Sequence, residues 1–157
     1  RVAAQQATID ANDTLDALSR FAAWGVDAAA TLAATNAIVT QRLVRLNCVH
    51  CAVDVQPPAA LLTQSGLTPE GVARFRFRAG RGCERCRRTG FRGRRLIYDV
   101  AMLDDEMRRT LWAFCRHRDP ATGLRRAFAR ALRRQALDLV QAGATTLQEI
   151  NRVTVPD

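Results

Sequence analysis

Four of the chain's five cysteines stand in two matched pairs, Cys48 with Cys51 and Cys83 with Cys86. In a reducing compartment, the C-x-x-C spacing places two thiolates on one tight turn, and two such turns complete the tetrahedral sulfur shell of a zinc site. Four thiolates leave no open position for a reacting water, so a catalytic zinc is disfavoured. The spacing predicts a structural zinc site, with a packing role or redox chemistry as the alternatives.

Two further residues, His50 and Cys115, have side chains that could bind a metal or act as a nucleophile. His50 lies inside the first cysteine pair, but a closed four-sulfur shell needs no fifth donor, so we expect an exposed loop histidine. Cys115 follows Met107 and Leu111 at helical spacing. This pattern predicts a small buried apolar residue rather than a nucleophile.

The 24 basic residues are all arginine, and they give the chain a net charge of +9. Without lysine, the chain has no G-x-x-x-x-G-K-[ST] loop and cannot by itself hold nucleotide phosphates in that way. Ten arginines and one acid, Glu84, lie between residues 74 and 95, so an arginine-rich zinc module that binds nucleic acid is an alternative function. No recognition-helix signature follows the cysteines, which disfavours nucleic acid as a partner.

The size and composition suit one domain with a small appendage, since the chain has 157 residues of which 48% are apolar. No run of about 18 uncharged apolar residues is present that would cross a bilayer. The segment "RVAAQQATIDAND" lacks the basic-then-apolar order of a secretory signal. These features predict a cytosolic chain.

The elements before the first cysteine pair are expected to be mainly helical. Residues 3–9 predict a short buried strand, followed by a helix that Gly25 ends and by a second, alanine-rich helix from about 28 to 46. The predicted N-cap residues are Asp10, Asn12 and Asp13 for the first helix and Asp27 for the second. The second helix would deliver the chain to Cys48.

Short elements are expected between and after the cysteine pairs. Prolines and glycines divide the segment between the two cysteine pairs into helical stretches at 59–65 and 68–74. The runs 75–79 and 95–103 have strand-like composition and flank the second pair, so we expect them to form an antiparallel pair.

Three helices are predicted to finish the chain, at 104–118, 123–143 and 145–154. Glu149 is placed as in a capping box with Thr146. The pattern as a whole predicts an α+β fold that is mainly helical, with a small sheet.

Three segments together resemble one known family. They are "QRLVRLNCVHC" at 41–51, "GCERCRRTGFRGRRLIYDVAML" at 82–103 and "TTLQEINRVT" at 145–154. They are similar, in order and spacing, to the C-terminal portion of the type II secretion and type IV pilus assembly ATPases, where a Q-R-L-[VA]-R helix runs into a tetracysteine zinc element. A weaker likeness of "TIDANDTLDALSRFAAWGV" to the family's T-L-H-T-N box extends the resemblance over nearly the whole chain.

The resemblance implies the C-terminal part of a RecA-like ATPase domain. Residues 1–46 would be the tail of the ATPase core, 47–103 a zinc-binding insert with β structure, and 104–157 a C-terminal helical subdomain. Family members are cytoplasmic homo-hexamers at the inner membrane that hydrolyse ATP with Mg²⁺. They act with an inner-membrane platform protein and a cytoplasmic adaptor. ATP and Mg²⁺ would bind only the full-length protein, and the chain alone should be inactive.

Two departures from the family pattern bear on nucleotide binding. Asp10 replaces the box histidine, and Asp99 replaces the usual glutamate after the G-F-R-G-R segment. An acid at position 10 would repel nucleotide, which makes a degenerate scaffold or regulatory member an alternative. The resemblance gives a nucleotide-sensing role to five residues: Asp10, Arg42, Arg45, Arg92 and Arg94. For Arg42 and Arg45 a structural role, bridging the core to the zinc element, is the alternative.

Overall fold

The structure is a computed structural model that describes residues 5–68, 70–117 and 122–155. Six helices are present in these ranges: α1 (Thr14–Ala23), α2 (Ala28–Ala34), α3 (Ala59–Gln64), α4 (Asp105–His117), α5 (Thr122–Gln141) and α6 (Leu147–Val153). The strands there are β1 (Ala37–Asn47), β2 (Ala52–Asp54), β3 (Arg78–Gly80) and β4 (Phe91–Met102). None of the described helices is both long enough and apolar enough to span a membrane.

The chain divides into two compact units. The first unit comprises Arg1–Thr40 and Val100–Phe128, and the second comprises Gln41–Asp99 and Ala129–Asp157. Helices and two small sheets are mixed along the chain, which is compatible with the predicted α+β class. The boundaries of these units differ from those of the three predicted functional segments, 1–46, 47–103 and 104–157. The division into those segments stays a prediction.

Helix α1 in the first unit begins as its cap residues predict. The Asp13 carboxylate accepts a hydrogen bond from the Asp16 N–H (2.8 Å), and Gly25 follows the helix at φ +77°. Asp27 caps α2 in the same way, accepting from the Ala30 N–H at 2.9 Å. The predicted strand at 3–9 is wrong for its described part, since residues 5–9 form no strand and 5–8 are exposed.

The core of the first unit is small and aliphatic. Cys115 is half-buried against this core, less completely than the sequence predicted, and burial raises the pKa of its thiol. Its apolar role stays a prediction. The buried residues of this core are Leu15, Leu18, Leu32, Leu103 and Leu111.

The predicted helix from 28 to 46 is wrong, because helix α2 ends at Ala34 and strand β1 begins at Ala37. The β-branched run Ile38, Val39 and Thr40 favours extended backbone, and exposed and half-buried residues alternate from position 37 to 43. Pairing with β4 supplies the hydrogen bonds that a helix would have made internally. The segment that the resemblance treats as a helix is therefore a strand.

The predicted pairing of 75–79 with 95–103 is also wrong. Strand β4 pairs with β1, and β3 pairs antiparallel with β2 in the register Ala52↔Gly80 and Asp54↔Arg78. Strand β2 begins directly after Cys51 and β3 ends three residues before Cys83. Bringing the two cysteine pairs together therefore also brings these two short strands side by side.

The insert between the cysteine pairs agrees with the prediction only in part. Helix α3 lies where the stretch 59–65 was expected. The second expected stretch contains a single 3₁₀ turn, Glu70–Val72, in its described part, while residue 69 lies outside the described ranges. The Gly71 N–H donates to Thr68 Oγ1 at 3.2 Å.

The second unit has the larger apolar core, formed by β1, β4, α5 and α6. The predicted helices at 104–118, 123–143 and 145–154 correspond to α4, α5 and α6 over their described residues, while residues 118–121 lie outside the described ranges. The buried residues of this core are Val44, Ile97, Leu132, Ala136, Val140, Leu147 and Ile150.

Candidate metal centre

The first cysteine pair lies on a turn directly after β1. Cys48 follows Asn47, the last residue of the strand, and is completely buried. Its carbonyl oxygen accepts hydrogen bonds from the N–H groups of Cys51 (3.1 Å) and Ala52 (2.9 Å). This turn directs both sulfurs to one side before the chain enters β2.

The second pair lies on a 3₁₀ turn, Glu84–Cys86. Arg87 and Arg88 follow in the left-handed conformation, with φ of 52° and 60°, and the Arg88 N–H donates to the Cys83 carbonyl at 2.8 Å. Left-handed backbone is uncommon for residues other than glycine, and here two such residues turn the chain back towards Cys83. The chain then enters β4 at Phe91, three residues after Arg88.

The four sulfurs form one cluster in which all lie within 4.8 Å of one another. The Sγ–Sγ distance is 3.9 Å for Cys48–Cys83 and for Cys51–Cys86, and 3.8 Å for Cys83–Cys86. A tetrahedron with zinc–sulfur bonds of about 2.3 Å has sulfur–sulfur edges of about 3.8 Å. Three of the six sulfur–sulfur distances match this value, so the cluster can hold a metal ion of this size.

Backbone N–H groups point at one sulfur in particular. Cys86 Sγ accepts from the N–H of Cys83 at 3.1 Å and of Gly90 at 3.3 Å. The bond from Cys83, with that from Gly90, lowers the pKa of the Cys86 thiol to about 6. Burial raises the pKa of the Cys51 thiol. The arrangement favours a thiolate at Cys86, which is the form that binds metal.

The two arms of the site cross backbone to backbone at a pair of glycines. A Cβ on Gly80 would lie 2.0 Å from the Gly90 carbonyl oxygen, and one on Gly90 would lie 2.5 Å from the Gly80 oxygen. Neither contact leaves room for a side chain. Glycine at both positions is therefore a requirement for bringing β3 and the start of β4 to this separation.

His50 is exposed and does not belong to the sulfur cluster, as predicted. The Arg85 guanidinium lies 3.4 Å from its Nε2 atom. The other arginines around the second pair are also exposed. They are Arg81, Arg87, Arg88, Arg92, Arg94 and Arg95. Four thiolates on a divalent cation carry about −2, and these arginines supply positive charge in the same stretch of chain.

A buried carboxylate joins β1 to α6 in the same unit. Glu149 has no exposed side-chain surface and accepts from Arg45 Nη2 at 2.6 Å, from the Arg45 backbone N–H at 3.0 Å and from Arg152 Nη2 at 2.8 Å. Burial alone would raise the pKa of Glu149, but the bonds from Arg152 and Arg45 outweigh it and lower the pKa to about 2. The Glu149 N–H donates to Thr146 Oγ1 at 3.2 Å, which is the predicted cap. The Glu149 carboxylate instead accepts from the two arginines.

Arg45 thus has structural partners, and its guanidinium also lies 4.3 Å from the centre of the Phe91 ring. Arg42 and Arg45 would share one face of a helix, but three positions apart on a strand they lie on opposite faces. Arg92 and Arg94 are exposed on one face of β4, and Asp10 is exposed before α1. The nucleotide-sensing role of these five residues stays a prediction.

Sequence reasoning missed the long-range bonds of two buried polar residues in this unit, Asn47 and Glu149. The bonds of Glu149 to Arg45 span 104 positions, and those of Asn47 to Gly143 span 96. No local pattern carries such pairings. The one available signal for Asn47 was that a polar residue stands directly before a predicted metal ligand.

Comparison with known proteins gives consistent matches. Residues 4–152 match the family model described as "Type II/IV secretion system protein". The chain is 35% identical over 149 residues to the type IV pilus assembly ATPase PilB of Thermus thermophilus, covering 95% of this chain and 17% of the relative. It is 31% identical over 148 residues to the type II secretion system protein HxcR of Pseudomonas aeruginosa, covering 94% and 28%. For the type II secretion system protein E of Dickeya dadantii the identity is 31% over 150 residues, covering 94% and 28%. The chain therefore spans less than a third of the length of each of these relatives.

Proposed function

The chain belongs to the type II/IV secretion system protein family, and we propose that it is the C-terminal portion of an ATPase that powers type II secretion or type IV pilus assembly. In this proposal the complete protein is a cytoplasmic hexamer at the inner membrane, acting with a platform protein and an adaptor. The present portion contributes a structural zinc centre and contacts between subunits. The observation that carries the proposal is the family match over residues 4–152 together with the four-cysteine cluster.

A structural rather than a catalytic zinc is favoured by the ligands. Cys48, Cys51, Cys83 and Cys86 would fill all four positions of the metal, and zinc supplies there a cross-link between two turns rather than an activated water. The first turn follows β1 and the second leads into β4. We propose that the centre fixes the base of this strand pair.

A larger ATPase domain is supported by an uncovered apolar face in the second unit. Leu43 on β1, and Leu96 and Tyr98 on β4, each expose about half of their surface. Exposed apolar side chains clustered on a sheet mark a surface that packs against further protein. We propose that the RecA-like core, of which residues 1–46 would be the tail, covers this face in the complete protein.

The chain has no lysine, so the phosphate loop and the acids that hold Mg²⁺ would lie in the remainder of the protein. Within this portion, Asp10, Arg42, Arg45, Arg92 and Arg94 would complete or sense a nucleotide site built elsewhere. The exposed Arg92 and Arg94 are suited to reach a neighbouring subunit, since a guanidinium binds phosphate or carboxylate in a bidentate manner.

The proposal is tested with the complete protein that carries this chain. Purified with Mg-ATP, it should sediment as a hexamer, hydrolyse ATP and contain one zinc per subunit, whereas the present chain alone should be a monomer without ATPase activity. In the host, Cys83→Ser should abolish secretion or piliation, and the phenotype that is lost identifies the process. Robust ATP hydrolysis by the chain alone, or zinc well below one per chain in reduced, folded protein, would contradict the proposal.

Asp10 favours a second candidate, a member that keeps the fold and has lost the chemistry. An exposed carboxylate at this position would add negative charge where nucleotide phosphates are expected to approach. Asp10→His in the complete protein should then raise ATP turnover at saturating Mg-ATP. An unchanged rate would show that position 10 takes no part in the reaction.

A further inference from the structure

Asn47 stands directly before the ligand Cys48, and its side-chain amide is committed to two other segments. Its Nδ2 donates to the Arg78 carbonyl at 2.8 Å and to the Gly143 carbonyl at 3.0 Å. Its backbone N–H donates to the Ala144 carbonyl at 2.8 Å. Only 6% of the residue is exposed.

These partners belong to different parts of the second unit. Arg78 is the first residue of β3, the strand that leads to Cys83, and Gly143 lies in the turn between α5 and α6. The three segments are in close contact, since a Cβ on Gly143 would lie 2.9 Å from Arg78 Cδ and 3.0 Å from the Arg76 carbonyl oxygen. Asn47 is thus bonded to the arm of the second cysteine pair and to the C-terminal turn at once.

The amide group itself, and not merely a side chain of this size, is what the site uses. Within the described residues, Asn47 Oδ1 is buried without a hydrogen-bond partner, which costs free energy that an apolar side chain would avoid. The two Nδ2 bonds offset this cost, because each satisfies a carbonyl oxygen. Aspartate has the same shape but no donor, and alanine has neither donor nor volume.

We propose that Asn47 is a positioning residue for the metal centre. Through Arg78 it fixes the distance between the first cysteine turn and the arm of the second, and through Gly143 it ties the loaded centre to the turn before α6. Metal affinity and protection of α6 from exchange should therefore change together. This inference rests on the proposed metal site at the four cysteines.

The experiment measures metal binding by the folded chain. Co²⁺ reports the geometry of the four-sulfur shell through its ligand-field and thiolate charge-transfer absorption, and competition with a chromophoric chelator gives the Zn²⁺ affinity. Substitution of residues that orient metal ligands costs about 10- to 100-fold in affinity. We expect Asn47→Asp and Asn47→Ala to lower Zn²⁺ affinity at least tenfold, to shift the Co²⁺ spectrum and to speed hydrogen exchange in α6 of the loaded chain.

Asn151 offers a matched control in the same unit. Its Nδ2 donates to Ser65 Oγ at 3.0 Å, and its Oδ1 is likewise buried without a partner among the described residues. Asn151→Asp and Asn151→Ala should lower stability and leave Zn²⁺ affinity within twofold of the parent. If Asn47→Asp does not fold, Asn47→Ser, which keeps one donor, should give an intermediate loss of affinity.

The metal centre and the positioning role of Asn47 can fail separately. If the parent chain binds neither Zn²⁺ nor Co²⁺ at the cysteines, the proposed metal centre is wrong and the role of Asn47 falls with it. If the parent binds metal and the Asn47 variants match it in affinity and in Co²⁺ spectrum, only the positioning role is overturned. The positioning role is also overturned if the Asn151 variants lose as much affinity as the Asn47 variants.

Discussion

The two compact units differ in whether buried charged side chains join distant parts of the chain. In the unit of residues 1–40 and 100–128, Asp13, Asp27 and Asp104 each cap the helix that follows at once. In the unit of residues 41–99 and 129–157, the bonds of Arg133 to Ser65 and of Arg45 to Glu149 span 68 and 104 positions. The first unit has long-range polar contacts too, between Thr14 and Thr40 and from Arg108 to the Leu32 carbonyl. Among the described residues, however, the buried charged side chains, Arg133 and Glu149, belong to the second unit.

This difference predicts unequal sensitivity to single changes. Removing one partner of a buried polar contact leaves the other partner unsatisfied, which costs about 1–3 kcal/mol, or more where the partner is charged. Local caps each act on a single helix end. The two units can be followed separately, because both tryptophans, Trp24 and Trp112, lie in the first unit.

The largest effect should come from breaking the cysteine cluster. Cys83→Ser leaves three sulfurs and removes the cross-link between the two turns of the second unit. The free energy of unfolding of this unit should therefore fall by several kcal/mol. Hydrogen exchange in β4, α5 and α6 should rise sharply, and zinc content should fall. Exchange resolved by mass spectrometry measures the effect segment by segment.

Cys115→Ser is the matched control, since it removes a thiol of the first unit that lies outside the cluster. It should leave zinc content and exchange in α6 unchanged. Equal losses of protection in both variants would show that the cluster has no special role in the second unit.

A glycine pair gives the next largest contrast. Gly80→Ala would place a methyl group 2.0 Å from the Gly90 carbonyl oxygen, so the two arms of the metal site must separate. We expect a loss of about 3 kcal/mol, at the upper end for overpacking, together with weaker metal binding. In Gly25→Ala, in the first unit, the added methyl group meets no atom within 4 Å, and the only strain is that of alanine at a φ of +77°.

For Gly25→Ala we therefore expect a loss of about 1 kcal/mol from the left-handed backbone alone, with metal binding unchanged. Chemical denaturation followed by tryptophan fluorescence measures the first unit, and Co²⁺ absorption measures the second. A Gly80→Ala chain that binds Co²⁺ like the parent would show that the arms can accommodate the methyl group.

The same contrast explains what could be predicted from sequence. The caps of α1 and α2 and the four cysteines were predicted because each signal lies within a few residues. Strand β1 was mistaken for a helix because Leu32, Ile38 and Arg42 also fit a helical period, and only pairing with the distant β4 decides the matter. The strand partners, Asn47 and the bonds of Glu149 were missed because they depend on residues far away in the chain.

Two arginine–carboxylate contacts, one in each unit, give the third contrast. Glu149→Gln removes a fully buried charge that holds β1 to α6, and breaking such a pair typically costs about 3–5 kcal/mol. Because Arg45 and Arg152 are half-exposed and can be rehydrated, we expect about 2 kcal/mol. Hydrogen exchange in α6 should rise accordingly.

Asp16→Asn is the counterpart in the first unit, where Asp16 contacts Arg20 at 3.3 Å on the surface of α1. The pair is partly exposed, and asparagine at position 16 can still accept the Asn12 N–H, so we expect a loss of at most about 0.5 kcal/mol in the fluorescence-detected unfolding. An Asp16→Asn effect as large as that of Glu149→Gln would contradict the difference drawn between the two units.

The smallest effect should appear in the pH dependence of the second unit. The folded-state pKa of Glu149 is lowered to about 2 from an ordinary value of 4.5. A lowered pKa stabilises the fold fully above the unfolded pKa, and the stabilisation is lost as pH falls towards the folded pKa. The difference in stability between the parent and Glu149→Gln should therefore be constant above about pH 5 and shrink between about pH 4.5 and 2.

The surface carboxylate Asp16 sharpens this test, because its pKa is also lowered, first by the Asn12 N–H and then by Arg20. Its contribution has the same sign, but 24% of its side chain is exposed to solvent, where salt at about 1 M reduces the screening length to about 3 Å. High salt should therefore suppress any pH slope assigned to Asp16 and leave that of Glu149, which is shielded from ions by burial. Exchange in α6, measured from pH 5 to 2 with and without salt, decides between them. A parent-to-Glu149→Gln difference that stays constant to pH 2, or that disappears in salt, would show that the buried carboxylate does not carry the acid sensitivity of this unit.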